Sequence, residues 1–387
     1  MRKVVLLIFL ITLSPQLFAQ SLKDLSFGTD ASFDVITWNV EWFPKNGQST
    51  VDSVRQIIQA LDVDVLALQE ISDTVLLKQM VDSLDGYETY FESSWFAGLA
   101  YIYKTDSVVI NDIYEIYTTN PYWSAFPRSP MVMDLNFRND NFIIINNHFK
   151  CCGDGLLDLS DSDDEEFRRN EASTLLKDYI DTNFADKRVV VLGDLNDILT
   201  DDADHNVFQT FIDDTNNYLF VDMAIAQGNS SDWSYPSWPS HIDHLLITNE
   251  LFVEFEHESS DIQTIPIDAF LSGGFGEYDT NISDHLPVGL KVQIAASPIG
   301  LDDENLSILT VSPNPSNGFV NFSLEANFST CQIVICNIRG QIVQTLEVFK
   351  GQNIVRWNTE NIECGIYYAS VKSSDKTKST EKVVIMK

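Results

Sequence analysis

The sequence predicts an α/β sandwich over residues 21–294, followed by a small all-β sandwich over residues 306–387. Three observations predict it. From Phe33 to Ile294, apolar runs with strand character alternate with stretches of helical spacing, and strands outnumber helices. Residues 295–305 turn rich in Ser, Pro, Gly and acid, as linkers do. Beyond them only short strand patterns remain.

The elements follow in order. Arg2 and Lys3 precede an apolar stretch, Val4 to Leu13, that ends near Ala19-Gln20. This has the form of a secretory signal over residues 1–20, too short to span a bilayer. Phe33 to Val40 reads as a buried strand, and Val54, Ile57, Ile58 and Leu61 give Val51 to Leu61 helical spacing. Val63 to Leu68 is a second strand, ending at Gln69-Glu70. Thr74 to Leu84 is a helix with Ser72 or Asp73 as its cap. Strands are expected at Ala100 to Tyr103, Ser107 to Tyr117, Val132 to Phe137 and Phe142 to His148, the last two joined by a hairpin turn at Arg138-Asn139-Asp140-Asn141. Phe167 to Tyr179 is an amphipathic helix, on which at least one of Arg168 and Arg169 is expected to be solvated. Arg188 to Leu192, Asp243 to Thr248 and Leu286 to Ile294 complete the strands of the first domain. Seven more follow the linker, with no convergent polar cluster among them. No segment after the signal is long and apolar enough to cross a membrane, and a monomer is expected.

The formal charge is −33. Residues 301–387 carry 8 basic against 9 acidic side chains, so almost all the charge lies on the first domain. An acidic body does not steer polyanions toward itself, so a nucleic acid would have to be held by a local cationic rim and by metal. Of five cysteines, Cys151 and Cys152 are adjacent and read as loop thiols, a strained bridge between them being the alternative.

The chemistry sits where apolar runs end. Asn39, Glu70, His148, Asp194, Asn196, Asp243 and His285 each stand at or just past a strand, where a sheet presents polar side chains along one rim. Carboxylates and amides suit a hard divalent cation, and imidazoles suit proton transfer to and from water. In Gly193-Asp194-Leu195-Asn196, the acid and the amide point the same way in extended geometry, while Asp197 falls on the other face as a cap or a solvated acid. Ser283-Asp284-His285 places a metal-competent carboxylate beside an imidazole, and Asp243 is the natural orienting partner for His285. His244 faces away from Asp243, toward the core. Glu70 is the best single metal ligand, and Arg128, flanked by Pro127 and Pro130, is a preset phosphate contact.

Taken together, Asn39, Glu70, Arg128, His148, Asp194/Asn196, Asp243 and Asp284/His285 resemble the endonuclease/exonuclease/phosphatase superfamily over residues 33–294. The resemblance implies a four-layer sandwich of two mostly antiparallel sheets with helices outside. It also implies Mg²⁺, with Mn²⁺ or Ca²⁺ as substitutes, held by Glu70 with Asn39 and Asp284 nearby. His285, oriented by Asp243, would activate water; Asp194, Asn196 and His148 would assist, and Arg128 would contact phosphate. The chain departs from pancreatic-type members around Ser94 to Gly98, where no acid stands to partner His148. Within Val311 to Gly318, Pro313-Asn314-Pro315 precedes Gly318; with Gly365-Ile366-Tyr367-Tyr368, this segment resembles a type IX secretion sorting domain. That resemblance implies passage across the outer membrane.

The expected function is a secreted Mg²⁺-dependent nuclease acting on extracellular DNA or RNA. A phosphomonoesterase or a sphingomyelinase-like phospholipase would use the same centre, with Tyr122 to Phe126 and Trp233 to Trp238 as candidate membrane-contact aromatics. From another class, an idle surface binding protein would have no need of Glu70, Asp194, Asn196, Asp243 and His285 together.

Overall fold

The computed structural model describes residues 21–92, 98–294, 309–324, 331–349, 352–373 and 376–386. The expected signal segment, the linker at 295–305 and the neighbourhood of Ser94 to Ala97 lie outside the described residues. The chain divides after Ile294 into two compact units.

Among the described residues the first unit holds twelve strands: β1 (Phe33–Phe43), β2 (Val65–Ile71), β3 (Tyr87–Tyr90), β4 (Gly98–Lys104), β5 (Val108–Glu115), β6 (Met131–Phe137), β7 (Asp140–His148), β8 (Arg188–Asp194), β9 (Tyr218–Phe220), β10 (Asp243–Thr248), β11 (Asp261–Thr264) and β12 (Val288–Val292). One sheet runs β11-β12-β1-β2-β4-β3 and the other β5-β6-β7-β8-β10-β9. In each, the third and fourth strands are parallel, β1 with β2 and β7 with β8, and every other pairing is antiparallel.

Alternation along the strands sorts side chains into three apolar layers. Val35, Val65, Ala67, Ile144, Val190 and Leu245 fill the space between the sheets. Trp38, Leu66 and Leu68 face the other way, against Val54, Ile57, Ile58 and Leu61 of α1 (Gln48–Leu61). Ile143, Ile145, Val189 and Val191 pack on Ala172, Leu176 and Ile180 of α3 (Glu165–Asn183). Helix, sheet, sheet and helix make the four layers expected.

The local chemistry matches the elements. Asp73 caps α2 (Thr74–Val81), its carboxylate accepting the N–H of Val75 and Leu76 at 3.0 and 2.9 Å. Arg138 and Asn139 take positive φ in the β6–β7 turn, as a two-residue hairpin requires. Strands β3, β9 and β11 escape the pattern reading because each lies at or next to a sheet edge and is only three or four residues long. The second unit has two antiparallel sheets, β13 (Leu309–Ser312), β14 (Phe319–Leu324) and β17 (Ile354–Asn358) in one, and β16 (Ile342–Val348), β15 (Cys331–Asn337), β18 (Gly365–Ser373) and β19 (Lys376–Ile385) in the other. They enclose an apolar core that includes Phe322, Ile335 and Trp357.

A polar clasp crosses the inter-sheet core. Gln69 Nε2 donates to Asn146 Oδ1 at 2.8 Å, and Asn146 Nδ2 donates to the carbonyls of Leu68 and Ala100, each at 3.1 Å. The Tyr101 hydroxyl accepts the Asn146 N–H at 2.9 Å and lies 2.8 and 2.9 Å from the carbonyls of Met131 and Ile144. Tyr101 is therefore buried between the sheets. These fully buried groups satisfy one another, so they hold the two sheets in one register beneath the strand ends.

Gly193 is where β8 comes closest to β7. A Cβ there would stand 2.0 Å from the Asn147 carbonyl oxygen, and φ is +148°. Gly193→Ala is expected to destabilise the first unit by about 3 kcal/mol or more, lowering Tm by roughly 5–10 °C in a thermal melt.

Candidate active site

The C-terminal ends of the two parallel pairs meet at one rim, β1 and β2 bringing Asn39 and Glu70, β7 and β8 bringing His148 and Asp194. In register, His148 stands opposite Asp194, and Asp194 opposite Asp243 on β10. Asn39 Nδ2 donates to Asp194 Oδ2 at 2.9 Å and to Glu70 Oε1 at 3.2 Å, so one amide joins acids of both sheets. Its Oδ1 accepts the Glu41 N–H at 2.9 Å, which leaves the NH₂ facing the carboxylates.

Ligand-capable atoms of Glu70, His148 and Asp194 lie within 4.8 Å of one another, as do those of Asp194, Asp243 and His285. His148 Nε2 is 3.8 Å from Glu70 Oε1 and 3.5 Å from Asp194 Oδ2. His285 Nδ1 meets Asp243 Oδ2 at 2.8 Å, and its Nε2 lies 3.9 Å from both Asp194 Oδ2 and Asp284 Oδ1. The His285 main chain is held from behind, its carbonyl accepting Tyr278 Oη–H at 2.6 Å and Trp38 Nε1–H at 3.3 Å. Ser283 Oγ donates to the Asn39 carbonyl at 2.7 Å and accepts the His285 N–H at 3.0 Å, tying the loop before β12 to β1. Glu41, Trp42, Glu70 and Asn196 all take left-handed φ, a strain that concentrates at this rim.

The electrostatics separate the two imidazoles. Burial holds His148 well below the usual histidine range, and the Arg128 and His285 charges lower it further. It is therefore neutral. Burial also works against a charged His285, but Asp243, Asp194 and Asp284 together push it up to about 10. Burial pushes Asp194 up to about 7; Asp243 and Glu70 add to the rise, and His285 and the Asn39 amide oppose it.

Asn196 donates its backbone N–H to Asp194 Oδ1 at 3.1 Å and its Nδ2 to the Phe149 carbonyl at 3.3 Å, so it closes a turn at the rim. Arg128 is half-buried, stands close enough to lower His148, and forms no hydrogen bond or ion pair among the described residues. Asp284 sits beside Glu41 and is not in the Glu70 group: its backbone N–H donates to Glu41 Oε2 at 2.8 Å.

Glu41 is a rim residue that sequence reasoning missed. Burial raises its carboxyl, Asp284 raises it further, and Lys45, paired with both Glu41 and Asp279, opposes the rise. The available signal was its place two residues after Asn39, which keeps it on the same rim. One expectation fails nearby. Asp197 is not solvated: its Oδ2 accepts Arg169 Nε–H at 2.8 Å. The two helix arginines differ: Arg169 is 2% exposed, whereas Arg168 is only partly buried and donates to the Ser124 carbonyl at 2.7 Å on the surface. Arg169 stands three, four and seven residues before buried Ala172, Ser173 and Leu176, so helical spacing puts it on the inward face.

The model of the endonuclease/exonuclease/phosphatase family matches residues 36–285. The chain belongs to that family. A secretion-system C-terminal sorting domain matches residues 310–386. Among solved structures, zebrafish TDP2 with a single-strand DNA product is 14% identical at TM-score 0.52, over 68% of this chain and 99% of that one. A humanised zebrafish TDP2 is 13% identical at TM-score 0.50, over 68% and 100%. An endonuclease/exonuclease/phosphatase from Bacteroides vulgatus is 14% identical at TM-score 0.48, over 68% and 99%. No curated protein matches. Family membership makes the protein a phosphoester hydrolase, and the type IX sorting domain marks it for export to the cell surface or beyond. Among the described residues no helix is long and apolar enough to cross a membrane.

Behind this rim lies a second ionic group. Asp222 Oδ2 is 2.6 Å from His244 Nδ1 and 3.1 Å from His241 Nε2, all three buried. His241 Nδ1 accepts the Ser234 N–H at 3.2 Å, so its proton sits on Nε2. His244 Nε2 meets the Asp197 carbonyl at 2.8 Å, where only a donor fits. Both ring nitrogens of His244 therefore donate, and the ring is an imidazolium. Burial works against both charges, yet Asp222 holds His244 above its ordinary 6.5 and the two histidines hold Asp222 below the usual carboxylate range. With His244 raised, its stabilising contribution is complete below about pH 6.5 and fades as pH climbs through the raised value. His244→Gln is expected to cost about 3–5 kcal/mol near pH 6, because buried Asp222 loses its one opposite charge and keeps only the His241 and Leu245 hydrogen bonds, with the deficit shrinking at higher pH in urea unfolding.

Proposed function

We propose that the protein is an exported, divalent-metal-dependent phosphodiesterase that cleaves extracellular nucleic acid with His285 as general base. The 2.8 Å contact between Asp243 Oδ2 and His285 Nδ1, with Nε2 turned toward Asp194, carries the reading. A carboxylate on Nδ1 fixes the ring and leaves Nε2 to receive a proton.

The donor set fits a hard cation: Glu70, Asp194, Asp243, Asp284 and Glu41 crowd one rim, and Asp243 Oδ1 is buried with no hydrogen-bond partner. Mg²⁺, or Mn²⁺ or Ca²⁺ in its place, would be held by Glu70, with Asn39 and Asp284 flanking it. Such an ion supplies positive charge to the phosphoryl oxygens. The chain's own groups do the rest. A cation at the rim would offset the carboxylates that raise His285 and so favour the neutral ring. With the ring neutral, Nε2 takes a proton from water as the water oxygen forms the new bond to phosphorus and the opposite P–O bond breaks. Asp194, lifted to about 7, can carry the proton that the leaving oxygen requires. Neutral His148 and the Asn196 turn face the developing charge, and Arg128 is free to grip a neighbouring phosphate. Arg128 is also the local cation that an acidic body needs in order to hold a polyanion. Zebrafish TDP2, with the same fold, was solved with a single-strand DNA product, which supports a nucleic-acid phosphodiester as substrate.

A phospholipid diesterase is the second reading, favoured by Trp123 and Trp238, which are 59% and 79% exposed. Plasmid DNA, RNA, sphingomyelin and bis-p-nitrophenyl phosphate, each assayed with Mg²⁺, Ca²⁺ and chelator, separate the two. Nucleic acid is expected to be the preferred substrate, chelator to abolish turnover, and His285→Ala to lower kcat by about 10²–10⁴-fold. Turnover that survives both chelation and His285→Ala would overturn the proposal. Asp243→Asn removes the charge that raises His285, so the acidic limb of the pH–rate profile is expected to move to lower pH while the maximum falls. An unmoved limb would mean that another group accepts the proton.

A further inference from the structure

We propose that the loop from β7 into α3 is a calcium site, separate from the catalytic rim and independent of the substrate assigned above. Carboxylate oxygens of Asp154, Asp164 and Glu166 lie within 4.8 Å of one another. The stretch 154–166 carries seven acids and no basic residue. Acidity alone would describe a solvated loop, but Glu166 is 1% exposed and its Oε2 has no hydrogen-bond partner. A buried carboxylate oxygen in that state calls for a cation or a donor. The chain closes directly over it: a Cβ at Gly153 (φ +111°) would stand 2.1 Å from Glu166 Oε1 and 2.6 Å from Oε2.

The nearby donors serve Oε1 and leave Oε2 without a hydrogen bond: the Gly155 N–H reaches Oε1 at 2.7 Å, and the guanidinium beside it is shared among several acceptors. Arg169 is 3.0 Å from Glu166 Oε1, but its Nε binds Asp197 at 2.8 Å and its Nη1 binds the carbonyls of Lys150 and Cys152, each at 2.7 Å. Lys150 lies against Glu165 at 3.5 Å. Asp154 and Asp164 each give Oδ1 to their own turns, accepting the N–H of Leu156 at 3.0 Å and of Phe167 at 2.7 Å, which leaves Oδ2 for another partner. Oxygen-only ligands drawn from an irregular loop suit Ca²⁺, which tolerates variable geometry, better than Mg²⁺ or a nitrogen- or sulfur-seeking metal. Glu166 also lines a cleft of about 490 Å³ shared with Asn196 and Trp238, a path by which an ion can enter.

The consequence reaches the catalytic rim through Arg169. The same guanidinium pins the carbonyls just past His148 and the acid next to Asn196. A Ca²⁺ bound at Oε2 holds the Glu166 carboxylate in place with Oε1 against Arg169, and so steadies the turns that follow β7 and β8.

The test uses the full exported chain carrying Glu70→Gln, which weakens cation binding at the catalytic rim, titrated with CaCl₂ by calorimetry. One Ca²⁺ is expected, with Kd of about 10⁻³ M or tighter, the range of extracellular modules. It should also slow proteolysis within residues 151–164. Asp154→Asn with Asp164→Asn keeps the turn acceptors and removes charge, so Kd should weaken at least about tenfold. The Ca²⁺-dependent gain in Tm should vanish, while Tm in chelator stays at or above that of the parent. Should the double variant fold poorly, exposed Asp154→Asn alone must still weaken binding. Calcium binding left unchanged by these substitutions, or no binding at millimolar CaCl₂, overturns the site.

Discussion

The Asn39 amide is the point on which the molecule turns. Its NH₂ reaches Glu70 on its own sheet and Asp194 on the other, so a single neutral donor spans the seam between two six-stranded layers. Two acids so close would repel each other across a dry gap. The amide dipole between them offsets part of that repulsion without adding net charge, so the acids remain available to a cation. The Gln69–Asn146–Tyr101 clasp lies directly beneath and keeps the seam from sliding, because shifting it would strand several buried polar groups at once.

Two levels of electrostatic support are stacked behind the rim. The outer one is the His285–Asp243 pair, which stands at the rim itself. The inner one is His244–Asp222, which never meets solvent and instead fixes the carbonyl of Asp197. Asp197 is held a second time through its side chain by Arg169. The turn bearing Asp194 and Asn196 is thus gripped from both its faces, which explains how a left-handed Asn196 is maintained without glycine.

Much of this was legible in the sequence, for reasons that can be named. Strand ends carrying Asn39, Glu70, His148 and Asp194 follow long apolar runs, and an apolar run delivers its last residue to a predictable place. Central strands and the α1 and α3 helices were recovered because burial imposes strong periodicity on them. Edge strands such as Tyr218–Phe220 were not, since one partner and three residues impose almost none. The roles of Arg169, Asp197 and Asp222 were hidden for a different reason. Burial of a charge is decided by its partners, and these pairings join residues that lie far apart in sequence, Arg169 with Asp197 and Asp222 with His244. Glu41 and Asp284 show the same limit, because their meeting depends on β12 pairing with β1.

That last pairing has a further consequence. Strand β12 is the final strand of the catalytic unit, yet it docks beside β1, inside its sheet, and His285 arrives on the loop that precedes it. A nascent or clipped chain that stops short of this strand leaves one side of β1 unpaired, separates β11 from its sheet and, if it ends before residue 285, lacks His285. The pairing of His285 with Asp243 is therefore completed only when nearly the whole first unit has been made.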